Sequence, residues 1–198
     1  MDATITTSKP NVSKVIPDGV LAIIFVLFTE SMLFAGLISA YIVNRAGAMV
    51  WPPADQPRLP VEVTGVNTLI LLSSAVVLYL FTKRVNKVAS IDSRSTNLLL
   101  VVIMLGATFL AVQGTEWARL IGYGLTTHSS IYGAFFYTLI GAHGLHVLVG
   151  LGILLYLYFA IRKASSFEMA KNKISACILY WYFVVAIWPI LYRLVYFN

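Results

Sequence analysis

The sequence predicts an all-α protein, an integral membrane bundle of five transmembrane helices. Of its 198 residues, 59% are hydrophobic and only 11% are charged, a balance that a soluble domain of this size does not support. Mean hydropathy is +0.84. The apolar residues gather into five runs, 20–43, 65–82, 97–113, 131–161 and 174–197. Each is long enough, as a helix, to cross a hydrocarbon core of roughly 30 Å. The loops between them are too short to hold a soluble domain.

Residues 1–19 are polar and lack the short apolar core of a cleaved signal, so they are expected to form a tail. Residues 20–198 then form one membrane domain. The first run is uncharged except for Glu30, close to its centre. A carboxyl at that depth costs on the order of 2.5 kcal/mol or more unless it is neutral or partnered. It is either a functional group with a partner on another helix or a structural acid that hydrogen-bonds a neighbour. Ala35 with Ser39, and Gly36 with Ala40, are small-xxx-small pairs, expected to admit a neighbouring helix backbone. The second and third runs carry no charge.

The fourth run is long enough to tilt or to project beyond the lipid. Gly133, Gly141, Gly144, Gly150 and Gly152 should make it permissive of close neighbours, and it contains His143 and His146. The fifth is crowded with Tyr180, Trp181, Tyr182, Trp188, Tyr192 and Tyr196. These are expected to divide between an interfacial belt and helix contacts. Cys177 is the sole cysteine, which rules out an internal disulfide. It is expected to pack as a small apolar side chain.

With five spans, the tail and the loops 83–96 and 162–173 share one side. That side carries ten of the 14 Lys and Arg, against Arg45, Arg58, Arg119 and Arg193 on the other. By the positive-inside rule the N-terminus is cytoplasmic and the C-terminus outside. The ten positive charges less Asp2, Asp18, Asp92 and Glu168 leave +6, the net charge of the whole chain. The basic balance therefore reports topology and anionic lipid, not nucleic acid.

His146 is the central residue of the fourth run, and Glu30 is near the centre of the first. The two should lie at matched depth, where Glu30 can share a proton or hydrogen bond with His146, or failing that His143. The histidines could instead be purely structural, or ligate metal or haem. Bis-histidine haem needs an imidazole from a second helix, and the remaining histidine, His128, lies in a loop. A di-iron bundle needs Glu-x-x-His motifs that are absent. No glycine-rich phosphate loop or nucleophile–base constellation occurs either. The residues read as a helical subunit whose buried polar groups serve a proton path, a lipid site or a partner.

The order of several motifs then becomes specific. Tyr132-Gly-Ala-Phe-Phe136 is followed by Gly141-Ala-His-Gly-Leu-His-Val147 and Gly150. Gln113-Gly-Thr-Glu-Trp117 precedes them. Glu30 with Phe34, Gly36 and Ala40 lies upstream, followed by Trp51-Pro-Pro53 and Asn67-Thr68. Trp181, Phe183, Val184 and Trp188 close the set. Together, from about residue 20 to the end, these resemble subunit III of the haem–copper respiratory oxidases, in its short bacterial form. Larger members have seven helices divided by a lipid-filled cleft, of which this form keeps the last five.

The resemblance implies a subunit that is not catalytic alone and holds no haem or copper, with no metal site and no catalytic residue of its own. It would pack beside subunit I, with subunit II and other respiratory subunits as further partners. There it would support oxygen reduction and proton uptake and guard the catalytic centre against turnover-linked inactivation. Haem and copper are expected in those partners, and bound phospholipid here. Glu30 matches the family's buried carboxylate, discussed with lipid and oxygen entry. Gln113 and Glu116, with His143 and His146, are its buried polar companions. Arg162 roughly matches a lipid-headgroup arginine, with a spacing two residues longer. The expected location is the bacterial cytoplasmic membrane.

Tyr182 stands where the family often has histidine, Val185 where it has aspartate, and Ser175 where glutamate is common. Roles resting on those groups are absent or carried differently. The Trp-Pro-Pro loop looks more like cytochrome c oxidases than quinol oxidases. A quinol-oxidase subunit III, a proton-coupled transporter subunit and a structural or assembly factor remain as alternatives.

Overall fold

A computed structural model of the chain describes residues 18–54, 56–88, 92–163 and 167–197. Of the expected tail, residues 1–19, residues 1–17 with Lys9 and Lys14 lie outside the described residues, and Asp18 and Gly19 belong to the first helix. Five helices follow one another: α1 (Asp18–Gly47), α2 (Val61–Val88), α3 (Ser93–Gly122), α4 (Ile131–Lys163) and α5 (Phe167–Tyr196). All five are long and apolar enough to cross a membrane.

Most of the helices overrun the apolar runs by a turn or more. Hydropathy marks only the stretch that suits hydrocarbon, whereas backbone hydrogen bonding continues until a cap ends it. At the start of α3 the cap is Asp92, whose carboxylate accepts from the Ser95 amide at 2.9 Å. At its end the Tyr123 amide donates to the Arg119 carbonyl at 3.0 Å. Gly124, at φ +90°, then turns the chain toward α4. Across the α2–α3 turn, Arg84 Nε donates to the same Asp92 carboxylate at 3.2 Å, and its Nη2 donates to the second oxygen.

The helices α2 and α3 form one antiparallel hairpin, and α4 and α5 a second. The hairpins pack side by side through α3 on α4 and α2 on α5. The first helix lies outside this four-helix core, and among the described helices it packs against α5 and α4. Its inward seam repeats at Ile23, Leu27, Glu30, Phe34, Leu37 and Tyr41, a heptad spacing in which Glu30 is the one acid. Phe34 and Tyr41 are fully buried. That seam puts Ala35, Gly36, Ser39 and Ala40 on the opposite arc, where all four are exposed. The small-xxx-small pairs therefore do not pack α1 within this chain, because the larger side chains on the other arc win the contact.

The glycines of α4 do admit close neighbours, with exceptions. A Cβ on Gly144 would lie 3.2 Å from Trp117, and one on Gly150 would lie 3.0 Å from Trp181. Gly152 faces open space. Trp181 is seated between Gly106 of α3 and Gly150 of α4, and its indole N–H donates to Ser74 Oγ of α2 at 3.0 Å. Trp188 donates to Thr68 Oγ1 at 2.8 Å. Both tryptophans are wholly buried, so they join the four core helices and do not form a belt at the lipid interface. Cys177 is buried in α5.

Candidate functional site

Glu30 and His146 meet where α1 crosses α4, with Nε2 of the imidazole 2.8 Å from the carboxyl Oε2. The opposite ring nitrogen, Nδ1, lies 2.7 Å from the Ala142 carbonyl one turn back on α4. A carbonyl oxygen only accepts, so Nδ1 carries hydrogen. The Nε2 contact then needs one further proton, held either by the carboxyl or by the ring. In both forms the pair as a unit is neutral, which removes most of the cost of placing either group in lipid. Phe34 packs on the imidazole with ring centroids 5.1 Å apart.

The pair is not sealed. The side chains of Glu30 and His146 keep 28% and 12% of their surface, and both line a groove of about 430 Å³ between α1, α4 and α5. Its other walls are apolar, from Ile23, Val26, Leu33, Val149 and Ile153, with Tyr180 beside them. The site is an acid–imidazole pair at mid-helix depth, opening sideways to whatever covers α1 and α4.

His143, three residues away, points elsewhere. It is fully buried in the four-helix core, stacked on Trp188 at 4.8 Å and edge-on to Phe109 at 6.1 Å. Gln113 and Glu116 share that interior. Gln113 Nε2 donates to Tyr196 Oη at 3.0 Å, and Glu116 accepts from Arg119 at 2.7 Å. Arg162 is exposed near the end of α4, its Nη1 donating to Tyr158 Oη at 3.1 Å. The expected site residues thus fall into three places: the Glu30–His146 pair, the interior set, and Arg162 alone. Asn67 and Thr68 belong with the interior set. Their signal was available, since an amide and a hydroxyl interrupt an apolar run. Among the described residues, no three His, Cys, Asp or Glu side chains gather as a metal set.

A family model described as cytochrome c oxidase subunit III matches residues 3–198. Cytochrome c oxidase subunit 3 of Synechocystis is 34% identical over 176 residues, covering 88% of this chain and 73% of the relative. The same subunit of Thermostichus vulcanus is 33% identical over 178 residues, covering 89% and 86%. A ubiquinol oxidase subunit, cytochrome bo(3) subunit 3 of Pseudomonas putida, is 29% identical over 173 residues, covering 86% and 81%. With the match running nearly end to end over five membrane-crossing helices, the chain belongs to the cytochrome c oxidase subunit III family, a multi-pass membrane component of a haem–copper oxidase complex.

Proposed function

We propose that the chain serves a bacterial terminal oxidase of the cytochrome c type as its non-catalytic third subunit. It docks on subunit I, with subunit II as a further partner, in the cytoplasmic membrane. There it supports oxygen reduction and proton uptake by subunit I and stabilises the complex. One observation carries this reading: the mid-membrane polar pair is closed on itself and opens only onto an apolar groove. A catalytic centre would converge several groups on a reacting atom, whereas this geometry suits contact with lipid or with a neighbouring apolar helix. Haem and copper then belong to the partner subunits. Phospholipid is held on this chain, with Arg162 placed to meet an anionic headgroup.

Affinity purification in mild detergent tests the assignment. The expected product is a coloured complex with haem absorption, a large multi-span partner and co-purifying phospholipid. A colourless homo-oligomer overturns it. Turnover against time, with metal content, tests the supportive role. Removing this chain should leave the metals and the initial rate largely in place while activity decays early. Immediate, complete loss of activity with metals retained would mean that the chain supplies a catalytic group. Loss of the metals would mark an assembly factor. The Pseudomonas relative favours a second reading, a quinol-oxidase subunit, and oxidation of reduced cytochrome c against quinol by the purified complex separates the two.

A further inference from the structure

In a membrane bundle a buried polar atom has no bulk water to turn to, so an unpartnered one points to something the site holds. Asn67 Oδ1, Gln113 Oε1 and both ring nitrogens of His143 are buried without a hydrogen-bond partner. They come from three helices, and Phe109 links them. Asn67 Nδ2 donates to the Phe109 carbonyl at 3.0 Å. That carbonyl only accepts, so the amide orientation is set and Oδ1 is the atom left over. Gln113 lies one turn beyond Phe109, and reversing its amide would leave Nε2 unpartnered in place of Oε1. The Phe109 ring packs on Trp188 at 4.9 Å and stands edge-on to His143 at 6.1 Å. His143 in turn stacks on Trp188.

The chemistry of these atoms names the ligand class. Two amide oxygens want donors, and a neutral imidazole offers one donor and one acceptor. A water molecule supplies two of each and is small enough for a packed core. Two amide oxygens are too few for a hard cation, which takes six or more oxygen ligands.

The polar surroundings also have a direction. Gln113 is bonded to Tyr196, and one turn along α3 stands Glu116, 6% exposed and bonded to Arg119, whose side chain is 65% exposed at the end of the helix. Toward the opposite end the core includes Leu71, Leu78, Phe81, Leu99, Val102 and Leu154, all wholly buried, and the hydroxyl of Ser74 among them is paired with the Leu71 carbonyl and the Trp181 indole. We propose that Asn67, Gln113 and His143 bind internal water, supplied from the Arg119 end of the bundle and closed off toward the other. His143 thereby gains one-sided contact with the aqueous phase from mid-membrane depth. This holds whichever oxidase the chain serves.

X-ray radiolytic hydroxyl labelling in ¹⁸O-water, read by mass spectrometry on the complex as purified, tests it. Bound water generates hydroxyl radical in place, so Phe109 and Trp188 should be labelled several-fold more than Phe81, an equally buried ring in the apolar half. Equal labelling of all three rings overturns the proposal. In the double variant Asn67→Leu, Gln113→Leu, labelling at Phe109 should fall to the Phe81 level while exposed Tyr123 is unchanged. Persistent labelling in an assembled variant also overturns it. Should the variant not assemble, the wild-type ratio still decides.

Discussion

The contact between Glu30 and His146 is decided by hydrogen count. The ring's Nδ1 proton is committed to the Ala142 carbonyl, so whatever faces Nε2 must share a proton with it or donate one. Glu30→Gln can donate from its amide and should leave stability nearly unchanged. Glu30→Ala strands Nε2 and should cost about 1–3 kcal/mol, read as a lower melting temperature of the purified complex. Proton uptake distinguishes a structural pair from a working one. If the acid itself matters, Glu30→Gln slows uptake without lowering the melting temperature; equal uptake in both proteins assigns the pair to structure alone. A second residue-scale contrast lies in the glycines. A Cβ at Gly106 would come within 2.6 Å of the Trp181 ring, and one at Gly36 would meet nothing within 4 Å. Gly106→Ala should therefore destabilise by about 1–3 kcal/mol. Gly36→Ala should be neutral, or stabilising by up to about 1 kcal/mol through helix propensity. Thermal unfolding of the two variants side by side checks the contrast.

Among the elements, the α2–α3 hairpin is tied at its turn by one carboxylate. Asp92 caps α3 and receives Arg84 from α2. The Arg84 guanidinium, followed by the two Ser95 hydrogen bonds, holds the Asp92 carboxyl well below the usual carboxylate range. A folded value below the unfolded one adds stability above the ordinary value of about 4, and that stability fades as pH drops from there toward the folded value. Amide hydrogen-exchange protection of the first turn of α3 should thus fall when pH is lowered from neutral to below about 4, relative to the middle of α4. Asp92→Asn should show weaker protection at neutral pH and little of this dependence. Unchanged protection in Asp92→Asn would remove the clip from the account. The first helix behaves oppositely. Among the described helices it packs on α4 and α5 alone, and it leaves most of its surface outward, as suits an element that presents one polar pair to a groove.

For the molecule as a whole, orientation is the property on which partners and water access depend. The split of ten basic residues against four predicts that the loop after α2 is cytoplasmic and the loop after α1 is outside. With Cys177 replaced by serine, Gln56→Cys should react with a membrane-impermeant maleimide on intact cells. Lys87→Cys should react only after permeabilisation. The reverse pattern would invert the topology, and with it the side from which the Arg119 end meets water.

Hydropathy and charge determined that this chain crosses a membrane five times, because the lipid slab imposes a length and a polarity on each span separately. Matched depth made Glu30 and His146 partners on paper for the same reason, since two spans centred in one slab bring their midpoints level. What depth leaves open is azimuth, the direction in which each helix faces, and that is set only when all five helices pack at once. Packing sent His143 away from Glu30 and against Trp188. It drew Trp181 and Trp188 into the core to satisfy Ser74 and Thr68, and it left the small residues of α1 outside. It also buried Asn67 in the interior with its amide on the Phe109 carbonyl. A single span carries no record of which neighbour will cover each of its faces, so the tertiary structure alone decided these contacts.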